Sequence, residues 1–129
     1  MPEQSQKICV VDDDMSVLKA LGRLLGSAGL QMLPFNDARL FLEHARNNLV
    51  ALAIIDVWMP QINGFEVQRL LLDMGPATPV IMMTARDNPG TEKVAFAQGA
   101  VAFLAKPFDD AAFLEVVLRA LPAIRLKSV

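Results

Sequence analysis

The sequence predicts an α/β fold, a doubly wound (βα)5 three-layer sandwich around a five-stranded parallel sheet. Two observations predict it. Short apolar runs alternate with helix-period patterns along the whole 129-residue chain, the signature of a parallel sheet covered by helices on both faces. The acidic, hydroxyl and cationic residues collect where those apolar runs end, and doubly wound sheets hold their ligands at the carboxyl ends of their strands.

The first strand is "KICVV" (7–11). Behind it Val17, Leu18, Leu21, Leu24, Leu25 and Ala28 recur at helical spacing, and Gly29 stops that helix. The second strand, a weaker one, is "LQMLPF" (30–35). Ala38, Phe41, Leu42 and Ala45 repeat the helical pattern behind Asn36 and Asp37, either of which can cap. "LAIID" (52–56) is the third strand, followed after Gly64 by a helix through Val67, Leu70, Leu71 and Met74 that ends at the Gly75-Pro76 breaker. "PVIMMT" (79–84) is the fourth strand. The next helix, "GTEKVAFAQ" (90–98), has the weakest signal, being short and starting on Gly90. "VAFLA" (101–105) is the fifth strand, and Phe113, Val116, Val117, Ala120 and Leu121 form the last helix after Asp109-Asp110. No repeat, linker or low-complexity segment interrupts the order, so residues 1–129 read as one domain with a core from about 7 to 121. The tail "IRLKSV" reads equally as the end of the last helix or the start of a connection.

Hydrophobic residues make up 53% of the chain and charged ones 20%, a balance that folds rather than staying disordered. Twelve Lys and Arg against fourteen Asp and Glu leave a net charge of −2, with no basic run. That excludes direct nucleic-acid binding or adhesion to an anionic membrane by this domain alone. The single Cys9 lies in an apolar run and has no cysteine to pair with, which fits a reducing cytoplasm. "MPEQSQK" at the N-terminus has no apolar signal core, and no stretch approaches the roughly 20 residues of a membrane span.

The chemistry gathers on four strand ends. The first strand runs into Asp12, Asp13 and Asp14, the third ends on Asp56, the fourth on Thr84, and the fifth stops just before Lys106. Carboxylates converging on one pocket repel one another unless a cation joins them. A hard divalent ion answers that need: magnesium takes oxygen ligands and combines one or two carboxylates with a phosphoryl oxygen, and manganese accepts the same donors. With such an ion Asp56 becomes a candidate nucleophile toward phosphorus. A Thr84 hydroxyl can donate to a phosphoryl oxygen and the Lys106 ammonium can pair with another. Lys106 also precedes Pro107, where a cis peptide can form.

The fragments "VVDDD" (10–14), "IIDVWMPQING" (54–64), "MMTA" (82–85) and "FLAKPFDD" (103–110), in that order at strand ends, resemble the response-regulator receiver domain of two-component signalling, the CheY-like superfamily. The resemblance covers about Lys7 to Leu121. It implies a flavodoxin-like sheet of order 2-1-3-4-5. It also implies a phosphoacceptor, Asp56, with Asp12, Asp13, Asp56 and the main-chain carbonyl of Trp58 as magnesium ligands. Thr84, with the adjoining Ala85, would be the phosphate-binding switch hydroxyl, Phe103 the aromatic that turns with it, and Lys106 the phosphate-pairing lysine. A sensor histidine kinase would be the phosphodonor, and the face of the fourth helix and fifth strand would change its preferred partner, including a phosphorylation-dependent homodimer. Such a protein is a switch rather than an enzyme: its chemistry is self-directed, transfer onto Asp56 followed by slow autodephosphorylation. Trp58 and Arg86, two residues beyond Asp56 and Thr84, depart from or vary within the family pattern and would flank the path of hydrolytic water, with bulky Trp58 slowing dephosphorylation. The run "QGAVAFLAKPFDD" (98–110) looks like the FixJ-like branch, whose members often precede a LuxR-type helix-turn-helix domain. The chain then reads either as a stand-alone regulator or as the receiver of a longer, transcriptional one.

Plainer roles cover the remaining polar residues. Asp14, Asp37 and Asp109 read as helix caps. Phe103 is core packing first, Met82 and Met83 are adaptable core filler, Cys9 is a small buried apolar residue, and His44 beside Glu43 and Arg46 is a surface residue without a metal or catalytic role. Three rival functions stand against the receiver. "DDDMS" (12–16) has the Asp-x-Asp core of a haloacid-dehalogenase-type phosphohydrolase, but the chain is short for one and the third-strand aspartate is unexplained. A flavodoxin would face its phosphate with hydroxyls and N–H groups, not three acids. A degenerate receiver acting only as a docking module would lack Asp56 or Lys106.

Overall fold

The computed structural model describes residues 7–75, 78–85 and 89–121. Ten elements alternate: β1 (Lys7–Val11), α1 (Met15–Ser27), β2 (Met32–Phe35), α2 (Ala38–Asn47), β3 (Val50–Asp56), α3 (Gly64–Asp73), β4 (Val80–Thr84), α4 (Pro89–Ala97), β5 (Ala102–Ala105) and α5 (Asp110–Ala120). The five strands pair in the order β2-β1-β3-β4-β5, all parallel. This is the CheY-like flavodoxin fold. Neighbouring strands β3, β4 and β5 put Asp56 beside Met83 and Thr84 beside Ala105, which brings the polar strand ends onto one edge.

Residues of one strand point alternately to opposite faces, and both faces here are apolar. Ile8, Val10, Leu52, Ile54, Ile81 and Met83 meet Leu18, Leu21 and Leu25 of α1 and Phe113 and Val117 of α5. Cys9, Val11, Ala53, Ile55, Val80 and Met82 meet Ala38, Phe41 and Leu42 of α2, Val67 and Leu71 of α3 and Ala95 of α4. Each wholly buried Leu, Ile or Met contributes about 1.5–3 kcal/mol of transfer free energy, so the centre of the sheet is a rigid mount for whatever its ends carry.

Caps set the helix starts. Asp14, Asp37, Asn63 and Asp109 each accept from a backbone N–H in the first turn of α1, α2, α3 and α5. Of the two candidates before α2, Asp37 is therefore the cap. Pro89 opens α4, one residue before the sequence reading, at a helix position where its missing N–H costs nothing. β2 begins at Met32 rather than 30 because the preceding residues close α1: Gly29, at φ 78°, donates to Gly26, and Leu30 N donates to Leu25 O at 3.0 Å. β3 starts two residues earlier than read, pairing Val50 with Lys7 before a register shift.

Two stripes differ from the periodic reading. α3 buries Val67, Gln68 and Leu71, whereas Leu70 is 40% exposed. Ala28, included in the α1 stripe, is exposed as well. No helix among the described residues is long and apolar enough to cross a membrane. Pro76 of the expected breaker, Arg86 and the tail from 122 lie outside the described residues.

Candidate functional site

β1 and β3 deliver the carboxylates. Asp12 continues the ladder beyond β1, its N–H donating to Phe35 O at 3.0 Å, and Val57 does the same beyond β3 by donating to Met83 O at 2.8 Å. Both acids are therefore held by strand backbone, with Asp12 1% and Asp56 5% exposed, while Asp13 is exposed. One carboxylate oxygen from each of Asp12, Asp13 and Asp56 falls within a single 4.8 Å cluster. Asp14 stands apart from it, accepting from Ser16 N and from Ser16 Oγ as the α1 cap.

Lys106 supplies the cation. Its N–H donates to Thr84 O at 2.7 Å, which registers the end of β5 against β4, and its peptide bond to Pro107 is cis. Its Nζ donates to Asp12 Oδ2 at 2.7 Å and lies 3.3 Å from Asp56 Oδ1. Beyond it, Phe108 stacks on Phe113 with ring centroids 5.2 Å apart, tying the loop to α5. Thr84 is buried at the end of β4, Ala85 is exposed beside it, and Phe103 is half-buried on β5, packed against the face that α2, α3 and α4 cover.

The electrostatics follow from burial. The Asp56 carboxyl is raised from 3.8 to about 6: burial is the largest cause, the Asp12 charge adds to it, Lys106 opposes both, and Asp13 adds a smaller upward push. For Lys106, burial works downward, but its hydrogen bond to Asp12 and the charges of Asp56 and Asp12 more than offset this, leaving its ammonium held above the ordinary range. Three carboxylates meet a single ammonium here, so the ionised cluster keeps an uncompensated double negative charge. All the donors are hard oxygens, and two of the three acids are shielded from water. That donor set fits a divalent cation of the magnesium or calcium kind and offers nothing soft for zinc or copper.

The loop leaving Asp56 has a steric requirement. Gly64 N donates to Val57 O at 2.7 Å, and a Cβ on Gly64 would run into the Asp56 carbonyl oxygen and approach Met82 Cε to 2.8 Å. Glycine lets α3 begin hard against the backbone of Asp56. Trp58 rides on this loop, 40% exposed.

A hollow of about 540 Å3 opens onto Lys106 between α1 and the β5–α5 loop, lined by Val17, Ala20 and Leu24 with Pro107 and Phe108. Sequence reasoning missed it because Val17 and Leu24 scored as core positions of α1, and nothing in their spacing marks them as half-open. A larger hollow of about 640 Å3, by Asn47–Val50 and Met74, lies at the amino end of β3 and holds none of these charged groups. His44 is half-buried rather than fully on the surface, its ring 5.4 Å from that of Phe35. Burial pushes the Cys9 thiol up to about 12, which keeps it a plain core residue.

A 2-1-3-4-5 parallel sheet with three acids and a lysine on its carboxyl edge defines a receiver-type domain. Residues 8–118 match the family described as "Response regulator receiver domain", and the chain belongs to that family. It is 38% identical over 117 residues to the transcriptional regulatory protein FixJ of Azorhizobium caulinodans, covering 91% of this chain and 55% of that protein. It is 34% identical over 121 residues to the response regulator protein TodT of Pseudomonas putida F1, covering 94% of this chain and 53% of that protein. The chain thus spans about half the length of the curated relatives it matches. Among solved structures, the chemotaxis protein CheY4 of Vibrio cholerae superposes with a TM-score of 0.82 at 30% identity, covering 90% of this chain and 98% of that one. The fold and the acidic site are those of that receiver family, and the relative FixJ is described as a transcriptional regulatory protein.

Proposed function

We propose that this domain is a magnesium-dependent phosphoacceptor switch, in which Asp56 takes a phosphoryl group from a phosphohistidine of a sensor kinase. The observation that carries the reading is the Lys106 ammonium reaching both Asp12 and Asp56 at the edge where three carboxylates cluster. An Asp56 carboxylate oxygen attacks phosphorus, the P–N bond breaks with its electron pair returning to the imidazole, and an acyl phosphate forms on Asp56. Lys106 pairs with one phosphoryl oxygen and the Thr84 hydroxyl, with Ala85 beside it, donates to another. Asp12, Asp13, Asp56 and the Trp58 carbonyl would hold magnesium, which when bound supplies the charge neutralisation that brings a phosphate to an acidic edge. Manganese is a substitute by the same donor chemistry.

The hollow between α1 and the β5–α5 loop is an apolar seat beside Lys106, suited to a helix of the kinase that carries the phosphohistidine. Hydrolysis returns the switch to rest; Trp58 and Arg86 modulate its rate. Thr84 and Phe103 carry the state of Asp56 to the α4–β5 face, where Val94, Phe96 and Val101 are 41%, 45% and 52% exposed. That face takes a second copy, a downstream protein or a fused DNA-binding domain, with a transcriptional output as in FixJ, and the protein works in the cytoplasm.

Trp58 is the sole tryptophan, so its fluorescence reports on the site. Magnesium should change it saturably, acetyl phosphate should then change it again, and Asp56→Asn should lose the second step. A magnesium response with no further change on acetyl phosphate would count against a phosphoacceptor and favour a docking module. An unchanged sedimentation profile after activation would remove the homodimer.

A further inference from the structure

α3 carries a polar residue where its periodicity calls for an apolar one. Gln68 follows Val67 in the stripe that also holds Leu71 and is 1% exposed. Its Nε2 donates to the main-chain carbonyl of Gln98 at 3.4 Å, and Gln98 directly follows α4, lying beyond the carbonyls that the helix end itself satisfies. Neither Gln68 Oε1 nor Gln98 Oε1 has a hydrogen-bond partner among the described residues, although both atoms are buried. Buried amides left half-satisfied are unfavourable, so this contact holds α4 without making its position comfortable.

A second observation concerns the underside of α4. Among its described side chains only Thr91 and Ala95 are buried, while Val94 and Phe96 point outward. Two small side chains bury little apolar area. The C-terminal end of α4 closes through Gln98 N to Val94 O, Gly99 N to Phe96 O and Ala100 N to Ala95 O, each at 3.0 Å. Gly99 sits at φ 102°.

We infer that Gln68 is a positioning residue, a latch from α3 that caps the C-terminal end of α4 and holds it in a marginal seat which phosphorylation releases. The release half of this rests on the phosphoacceptor reading above; the latch half does not. A thinly packed helix whose end is held by one long, half-satisfied amide contact is the kind of element that a small change at a neighbouring strand end can tip.

The test is amide hydrogen exchange on the unphosphorylated protein with Gln68→Met, a near-isosteric change that removes both the donor and the orphaned oxygen. Exchange at Gln98, Gly99 and Ala100 should accelerate by about tenfold while the β1 and β3 amides do not, and Tm should hold or rise by about 3 °C. A contact that is merely structural would give the opposite pattern, with Tm falling and all amides accelerating together, and that result or an unchanged α4 end overturns the latch. If Gln68→Met fails to fold, Gln68→Asn withdraws the amide from reach and should give the same local acceleration. Gln98→Ala keeps the main-chain carbonyl and should leave exchange at Gly99 and Ala100 as it is. With acetyl phosphate and magnesium, and the adduct verified by mass, the wild-type α4 end should accelerate and the Gln68→Met protein should respond less. Equal responses overturn the release. No adduct at all sinks the Asp56 reading and the release with it, leaving the latch to the exchange data alone.

Discussion

Replacing Asp56 by Asn should stabilise the metal-free protein, and only at a pH where the aspartate is charged. The carboxyl has been raised from 3.8 to about 6, first by burial and then by Asp12. A raised acid opposes folding: below about pH 3.8 both folded and unfolded chains hold the proton and nothing is lost. Between about 4 and 6 the unfolded chain releases it first, so stability falls as pH rises, and above about 6 the loss is complete. Two pH units correspond to about 3 kcal/mol, on the order of 2–3 kcal/mol of difference between the proteins near pH 7.5. At 7% exposure the side chain has little water to screen this cost. For a chain of this length that is a Tm rise of about 6–12 °C. Urea unfolding of both proteins in chelator, from about pH 4 to pH 8, isolates the effect. Asp14 and Asp37, whose carboxyls their cap hydrogen bonds hold below the usual range, give the opposite slope in both proteins and cancel in the difference. Magnesium should then narrow the gap, because it binds the charged folded cluster of the wild type and stabilises it by mass action. A variant no more stable than wild type near pH 7.5, or a gap equally wide near pH 4, would refute the electrostatic account of the site.

Lys106→Ala leaves two buried carboxylates facing each other without their ammonium. It should cost about 3 kcal/mol near neutral pH and less as Asp56 takes up a proton, read from urea midpoints at the two pH values. Gly64→Ala places a Cβ against the Asp56 carbonyl, with a loss of about 2 kcal/mol by the same measurement and an unchanged m-value. Trp58→Asn should shorten the half-life of the phosphoryl adduct severalfold, measured as decay of intact mass after the donor is removed. An unchanged half-life would retire Trp58 as a brake on hydrolysis.

What the sequence made legible was whatever one strand determines by itself. Four of the five apolar runs, each with a polar residue at its end, were enough to put Asp12, Asp56, Thr84 and Lys106 on a common edge, since parallel strands all end on the same side. Helix caps were legible for a similar reason, because Asp14, Asp37 and Asp109 act within their own turn. Features that depend on two elements meeting were not. Leu70 has the right spacing to be buried, yet Gln68 takes that place, its amide reaching Gln98 in the segment after α4. The division of Lys106 between Asp12 and Asp56 depends on side-chain reach across the sheet. Sequence spacing carries no record of that reach, nor of the hollow that α1 leaves beside Pro107 and Phe108.

The most direct test of the central claim is intact mass after incubation with acetyl phosphate, with and without magnesium, alongside Asp56→Asn. A single phosphoryl adduct that requires both the metal and Asp56 is the result expected of this site. An adduct that survives Asp56→Asn, or none under conditions where magnesium demonstrably binds, would contradict it.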